Sequence, residues 1–135
     1  MKSKGEPTLI TDPTLAGVLE ALISREPIFH RPELGTARAD CENMTDADFW
    51  EVGASGRRYS RDYVLAELET RYAGGYRDNW VAQDFHCRKL AEEVYLLTYT
   101  LIQDEKRLTR RSSIWRNTLT GWKIVFHQGT IVQDA

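Results

Sequence analysis

The chain has 135 residues, 41% of them hydrophobic and 28% charged, with a formal net charge of -2 and a pI near 5.9. A domain of this size buries about two thirds of its unfolded surface, and the slightly acidic balance excludes the overall basic footprint of a nucleic-acid binder. No apolar stretch approaches the roughly 20 residues of a membrane span, and the start of the chain lacks the apolar core of a secretory signal, so no membrane partner and a cytoplasmic location are expected.

Residues 1–10 read as a polar tail and 11–133 as a single domain. Asp12-Pro13 opens a helix, with Asp12 as N-cap and Pro13 at the first helical position, where its missing N–H is no loss. Leu15, Val18, Leu19, Leu22 and Ile23 follow as one apolar stripe, and Pro27 ends it. Ile28–Pro32 reads as a turn or a single helical turn. Thr45-Asp46-Ala47-Asp48 reads as a capping box starting a short turn, which runs into a strand over Phe49–Gly53. Ala54-Ser55-Gly56 supplies hairpin chemistry, and Arg57–Tyr59 returns. Ser60 caps a further helix carrying Tyr63, Val64, Leu65, Leu68 and Tyr72, which Gly74-Gly75 stops.

From Trp80 the pattern changes to strands: Trp80–Leu90, Val94–Ile102, Arg110–Arg116 and Trp122–His127. A helix, a hairpin, a second helix and an antiparallel meander predict an α+β fold around a curved sheet, an arrangement that usually holds a pocket. Thr118-Leu119-Thr120-Gly121 fits a type I turn followed by glycine in the left-handed region. That turn pairs Thr118 with Trp122. It places Arg111, Ser113, Trp115 and Asn117 on one face with Lys123, Val125 and His127. Ser112, Ile114 and Arg116 lie on the other with Trp122, Ile124 and Phe126.

The first of these faces carries the chemistry. Arg111 can hold a carboxylate or enolate through two parallel hydrogen bonds, His127 can exchange a proton near neutral pH, and Ser113 can orient a ligand or the imidazole, directly opposite it. The bland alternative is a half-exposed strand. Glu51 stands between Trp50 and Val52, where burial would raise its pKa toward that of a general base; the alternative is a solvent-facing carboxylate or one paired with Arg57 or Arg58. Tyr95 and Tyr99 share a strand face and read as packed in a core or at an interface, with one hydroxyl able to project into a cavity. His30 reads as a loop residue, and Asp84 and His86 as the polar side of a strand. The three histidines have no metal-ligand spacing. Cys41 and Cys87 fit no redox or metal motif. Neither a metal nor a cofactor is expected.

The run Arg111-Ser112-Ser113-Ile114-Trp115-Arg116, then Gly121-Trp122-Lys123-Ile124 and His127-Gln128-Gly129-Thr130, resembles the end of small bacterial domains of the nuclear-transport-factor-2-like superfamily. Asp48–Arg57 resembles their first hairpin. The resemblance implies a cystatin-like cone: a strongly curved antiparallel sheet with N-terminal helices packed on its concave face, closed around a cavity and often dimeric through the sheet. The superfamily includes SnoaL-like cyclases, dehydratases, ketosteroid-isomerase-like enzymes and non-catalytic domains. Ketosteroid isomerase relatives place a carboxylate base near the first hairpin, where Glu51 falls, but no Tyr–Asp pair matches their oxyanion donors. Other relatives hold small carboxylates with arginine on the last strands, where Arg111 and Ser113 stand.

The leading expectation is a small-molecule-binding protein acting as a cofactor-independent isomerase or lyase on a carbonyl-bearing or aromatic substrate. Glu51 or His127 would move the proton and Arg111 would hold the developing charge. Trp50, Trp80 and Trp115 would exclude water, with Tyr99 and Ser113 as further ligand contacts. The alternative is a non-catalytic homodimer that binds a ligand or protein partner, with the face of Ile114, Trp122, Ile124 and Phe126 covered.

Overall fold

A computed structural model describes residues 4–75 and 78–133; residues 1–3 of the expected tail lie outside the described residues. Its strands are β1 (Thr45–Val52), β2 (Arg58–Ser60), β3 (Trp80–Ala91), β4 (Val94–Gln103), β5 (Arg107–Thr118) and β6 (Gly121–Ile131), and its helices α1 (Ala16–Ile23), α2 (Arg38–Met44) and α3 (Arg61–Ala73). The strands form one sheet in the order β2-β1-β6-β5-β4-β3. Every neighbouring pair is antiparallel except β1 and β6, which run parallel. That pair needs a long connection, and the four intervening strands and α3 provide it. The architecture is an α+β curved sheet with helices on its concave face.

Each helix follows from local chemistry. The Asp12 carboxylate accepts from the Thr14 N–H at 2.9 Å, and Pro13 leads a 3₁₀ turn, Pro13–Leu15, into α1. Arg31 closes the other end by donating to the carbonyls of Ile23 and Glu26 at 3.1 and 2.9 Å. The Ser60 hydroxyl accepts from the Tyr63 N–H at 3.2 Å at the start of α3, whose Val64, Leu65 and Leu68 are buried. These apolar faces close on Leu97, Leu101, Trp115 and Ile124 of the sheet to form the core. Among the described residues, no helix is long and apolar enough to cross a membrane.

Two local readings are corrected. Thr45–Asp48 belongs to β1 rather than to a capped turn, and the helix lies before it as α2. This helix is short and mostly polar, with Cys41 its buried residue, so it has no apolar stripe to read. The final hairpin has a two-residue loop, Leu119-Thr120, so Thr118 pairs with Gly121 rather than with Trp122. Gly121 takes φ +110°, a conformation other residues rarely adopt. One residue of slip would have reversed the remaining faces, but a bulge at Val125 restores the count, and Ser113 pairs with His127 as expected. Between turn and bulge the faces exchange: Ile124 joins Trp115 and Trp122 joins Asn117 on the concave side, and Trp122 packs on Tyr95 at 5.7 Å.

Candidate functional site

Directly paired residues share a sheet face, so the pairing lists what the concave side presents. One row crosses all six strands as Cys87, Leu97, Ser113, His127, Glu51 and Tyr59; the next holds Tyr99, Arg111 and Gly129. A cavity of about 260 Å³ lies between these rows, α3 and the loop from Pro27 to His30. Glu51, Tyr99, Arg111 and His127 line its sheet side, Leu68 and Arg71 its helix side, and His30 its loop side.

Beneath this floor lies a buried network centred on Glu26, which is 0% exposed. One carboxylate oxygen accepts from the Tyr99 hydroxyl at 2.9 Å and the Ile28 N–H at 2.8 Å. The other accepts from Trp115 Nε1 at 3.1 Å and from the Ser113 hydroxyl. Ser113 Oγ is also 2.7 Å from His127 Nδ1, and Arg111 Nη1 is 3.3 Å from His127 Nε2. Counting protons assigns the tautomer. A guanidinium can only donate, so His127 Nε2 accepts; Nδ1 then carries the proton and donates to Ser113, which donates to Glu26.

The electrostatics agree with that assignment. Burial, reinforced by the positive charge of Arg111, lowers the His127 pKa to about 3, so the imidazole is neutral around pH 7. Burial raises the pKa of Glu51, with Arg111 and then Arg71 opposing. The Tyr99 phenol is pushed well upward by burial and by Glu26, which keeps it a donor. Arg111 Nε also donates to Thr109 Oγ1 at 2.9 Å; among the described residues Nη2 has no acceptor, and the side chain lies on the cavity wall. Gly129 makes room for this guanidinium: a Cβ there would stand 3.0 Å from Arg111 Cζ and Nη1.

The structure brings four of the expected site residues, Glu51, Tyr99, Arg111 and His127, to one cavity. Ser113 and Trp115 lie buried under it on Glu26. Trp80 stands away from the lining, with the Arg31 guanidinium 5.0 Å above its ring. Trp50 is 43% exposed on the opposite sheet face, against Phe126 at 4.8 Å. Glu26, Arg71 and His30 were not among the expected site residues. His30 Nδ1 contacts the Asp78 carboxylate. Among the described residues, no group of three or more His, Cys, Asp or Glu is placed to hold a metal ion.

No family model matches the sequence, and no curated protein matches it. Solved structures do. A protein with a cystatin-like fold from Caulobacter vibrioides matches with a TM-score of 0.68 at 16% identity, over 85% of this chain and 89% of its own. A candidate dehydratase of the NTF2-like family from Streptomyces avermitilis matches with a TM-score of 0.68 at 16% identity, over 87% and 97%. A candidate ketosteroid isomerase from Parabacteroides distasonis matches with a TM-score of 0.62 at 19% identity, over 93% and 96%. At these identities the likeness is one of fold, and the fold of this chain is NTF2-like.

Proposed function

We propose that this NTF2-like chain binds a small carbonyl-bearing or aromatic molecule in its cavity and exchanges a proton with it. The observation that carries this reading is the meeting of Glu51 and Arg111 in one cavity. Burial raises the carboxyl pKa toward the working range of a proton-transfer group. The guanidinium stands ready to hold an enolate or carboxylate, and neutral His127 fixes its position. The likeness of fold to a candidate dehydratase and a candidate ketosteroid isomerase is compatible with such chemistry. No step in this reading requires a cofactor.

The test is a thermal-shift screen against small carboxylates, ketones and aromatic carbonyl compounds, followed by proton NMR of each hit in D₂O. A ligand at a hundred times its Kd adds about 2.7 kcal/mol to stability. The expected result is a shift that Arg111→Ala removes, with exchange of the ketone α-protons that Glu51→Gln removes. A panel with neither shift nor exchange overturns the reading.

A second reading, a non-catalytic module that dimerises through its sheet, is favoured by the outer face. There Trp50, Phe126, Ile114 and Leu96 form one partly exposed row across four strands. Sedimentation equilibrium of the wild type and Trp50→Arg tests it: a wild-type monomer excludes it.

A further inference from the structure

We propose that Glu26 is a positioning residue for Arg111: acting through Ser113 and His127, the buried carboxylate holds the guanidinium with its open edge toward the cavity, an inference that rests on the reading of Arg111 as the anion contact given above.

Glu26 is anchored before its side chain makes any contact. Its N–H donates to the Leu22 carbonyl at 3.1 Å, and its own carbonyl accepts from Arg31 Nη2 at 2.9 Å. Four donors then meet the carboxylate: the Tyr99 hydroxyl, the Ile28 N–H, Trp115 Nε1 and the Ser113 hydroxyl. A carboxylate offers about four lone-pair sites, so these donors fill it and it can only accept. A guanidinium can only donate. Opposite charges therefore close the two ends of one chain, and every proton in it has a single direction. Arg111 Nη1 donates to His127 Nε2 at 3.3 Å, His127 Nδ1 to Ser113 Oγ at 2.7 Å, and Ser113 Oγ to Glu26. The two relays are neutral, since burial and Arg111 keep the imidazole uncharged around pH 7.

The relay does what a direct ion pair could not. A carboxylate bound straight to the guanidinium would take the paired N–H groups that recognise an anion. Held through His127, Arg111 meets its counter-charge with Nη1 alone, while Nε is engaged by Thr109 at 2.9 Å. Nη2, which has no acceptor among the described residues, is left at the cavity wall, and Gly129 gives the guanidinium its room. An amide in place of the carboxylate reverses the chain. In Glu26→Gln the NH₂ donates to Ser113, and Ser113 donates to His127 Nδ1. The imidazole proton then sits on Nε2, where it opposes the Nη1 donor and turns Arg111 away.

Long-range ¹H–¹⁵N NMR of the intact protein at neutral pH reads the tautomer, with His127→Gln identifying the signals. The wild type should show a protonated Nδ1 and a bare Nε2, and Glu26→Gln the reverse. Trp115→Phe removes a donor from Glu26 without touching the relay, so its tautomer should match the wild type. A wild-type Nε2–H, an unchanged tautomer in Glu26→Gln, or a changed one in Trp115→Phe overturns the proposal. Binding of benzoate, measured by isothermal titration, reads the effect on Arg111. Glu26→Gln should weaken it about tenfold, the scale of one hydrogen bond to a charged group. Ser113→Ala cuts the relay with the carboxylate in place; it should weaken benzoate likewise, and it decides the matter if Glu26→Gln does not fold. Full affinity in either folded variant overturns the proposal even where wild-type binding depends on Arg111. Benzoate bound equally by the wild type and Arg111→Ala, or by neither, removes the parent reading and the proposal with it.

Discussion

Ser113 Oγ lies 2.7 Å from His127 Nδ1 and donates its own proton to Glu26. A hydroxyl has one proton to give, so this contact sets the direction of every hydrogen bond from Arg111 down to Glu26. Ser113→Ala leaves the His127 N–H and one oxygen of Glu26 short of a partner in a dry environment. The expected loss is about 1–3 kcal/mol in denaturant unfolding. Ser112→Ala, on the opposite face, should stay within about 0.5 kcal/mol. Equal losses would mean that the Ser113 hydroxyl has no special place in the fold.

His127 predicts a pH dependence of stability. Its folded pKa is about 3 against an ordinary 6.5, so between those values the unfolded chain binds a proton that the folded chain does not. The contribution is present above 6.5 and is lost as pH falls toward 3, with a slope of at most about 1.4 kcal/mol per pH unit. His30, also lowered, adds in the same direction. Glu51 acts oppositely: its raised pKa gives stability at low pH that is lost as pH rises through its folded value. Unfolding free energies measured from pH 7 to pH 4 should therefore fall less steeply in His127→Gln than in the wild type. Parallel curves would show that the imidazole is not held neutral.

Gly129 offers a way to move Arg111 without deleting it. An added methyl would lie 3.0 Å from the guanidinium carbon, closer than atoms pack without displacement. Gly129→Ala should cost about 1–3 kcal/mol as an overpacked site and should weaken the thermal shifts produced by small carboxylates. Retention of full shifts would place the anion contact elsewhere in the cavity.

The strands of the last third were legible because their alternation is dense: Tyr95, Leu97, Tyr99 and Leu101 are all buried, each two residues after the last. α1 announced itself through an aspartate cap and an apolar stripe. α2 could not, being seven residues with little apolar surface. The pairing of Ser113 with His127 was read correctly through compensation, since the shorter loop and the bulge at Val125 cancel. Arg111, His127, Glu51 and Tyr99 could be named from chemistry and strand position. Glu26 could not, because its side-chain partners lie 73, 87 and 89 residues away and nothing beside Pro27 marks it as buried.

That carboxylate also permits the sharpest test of the network. In Glu26→Gln one oxygen can still accept from Tyr99 and Ile28, but an amide NH₂ replaces the oxygen that faces Ser113 and Trp115. Ser113 can rotate its hydroxyl to accept instead. The indole N–H of Trp115 cannot rotate, so it is left buried against another donor, at a cost of about 1–3 kcal/mol. Trp115→Phe removes the orphaned donor and should therefore cost less in the Glu26→Gln background than in the wild type. The double-mutant cycle in denaturant should show coupling of about 1 kcal/mol or more. Additive losses would mean that Trp115 is held by packing alone, and that the donors which fix Glu26 beneath the cavity are the tyrosine, the serine and the Ile28 amide.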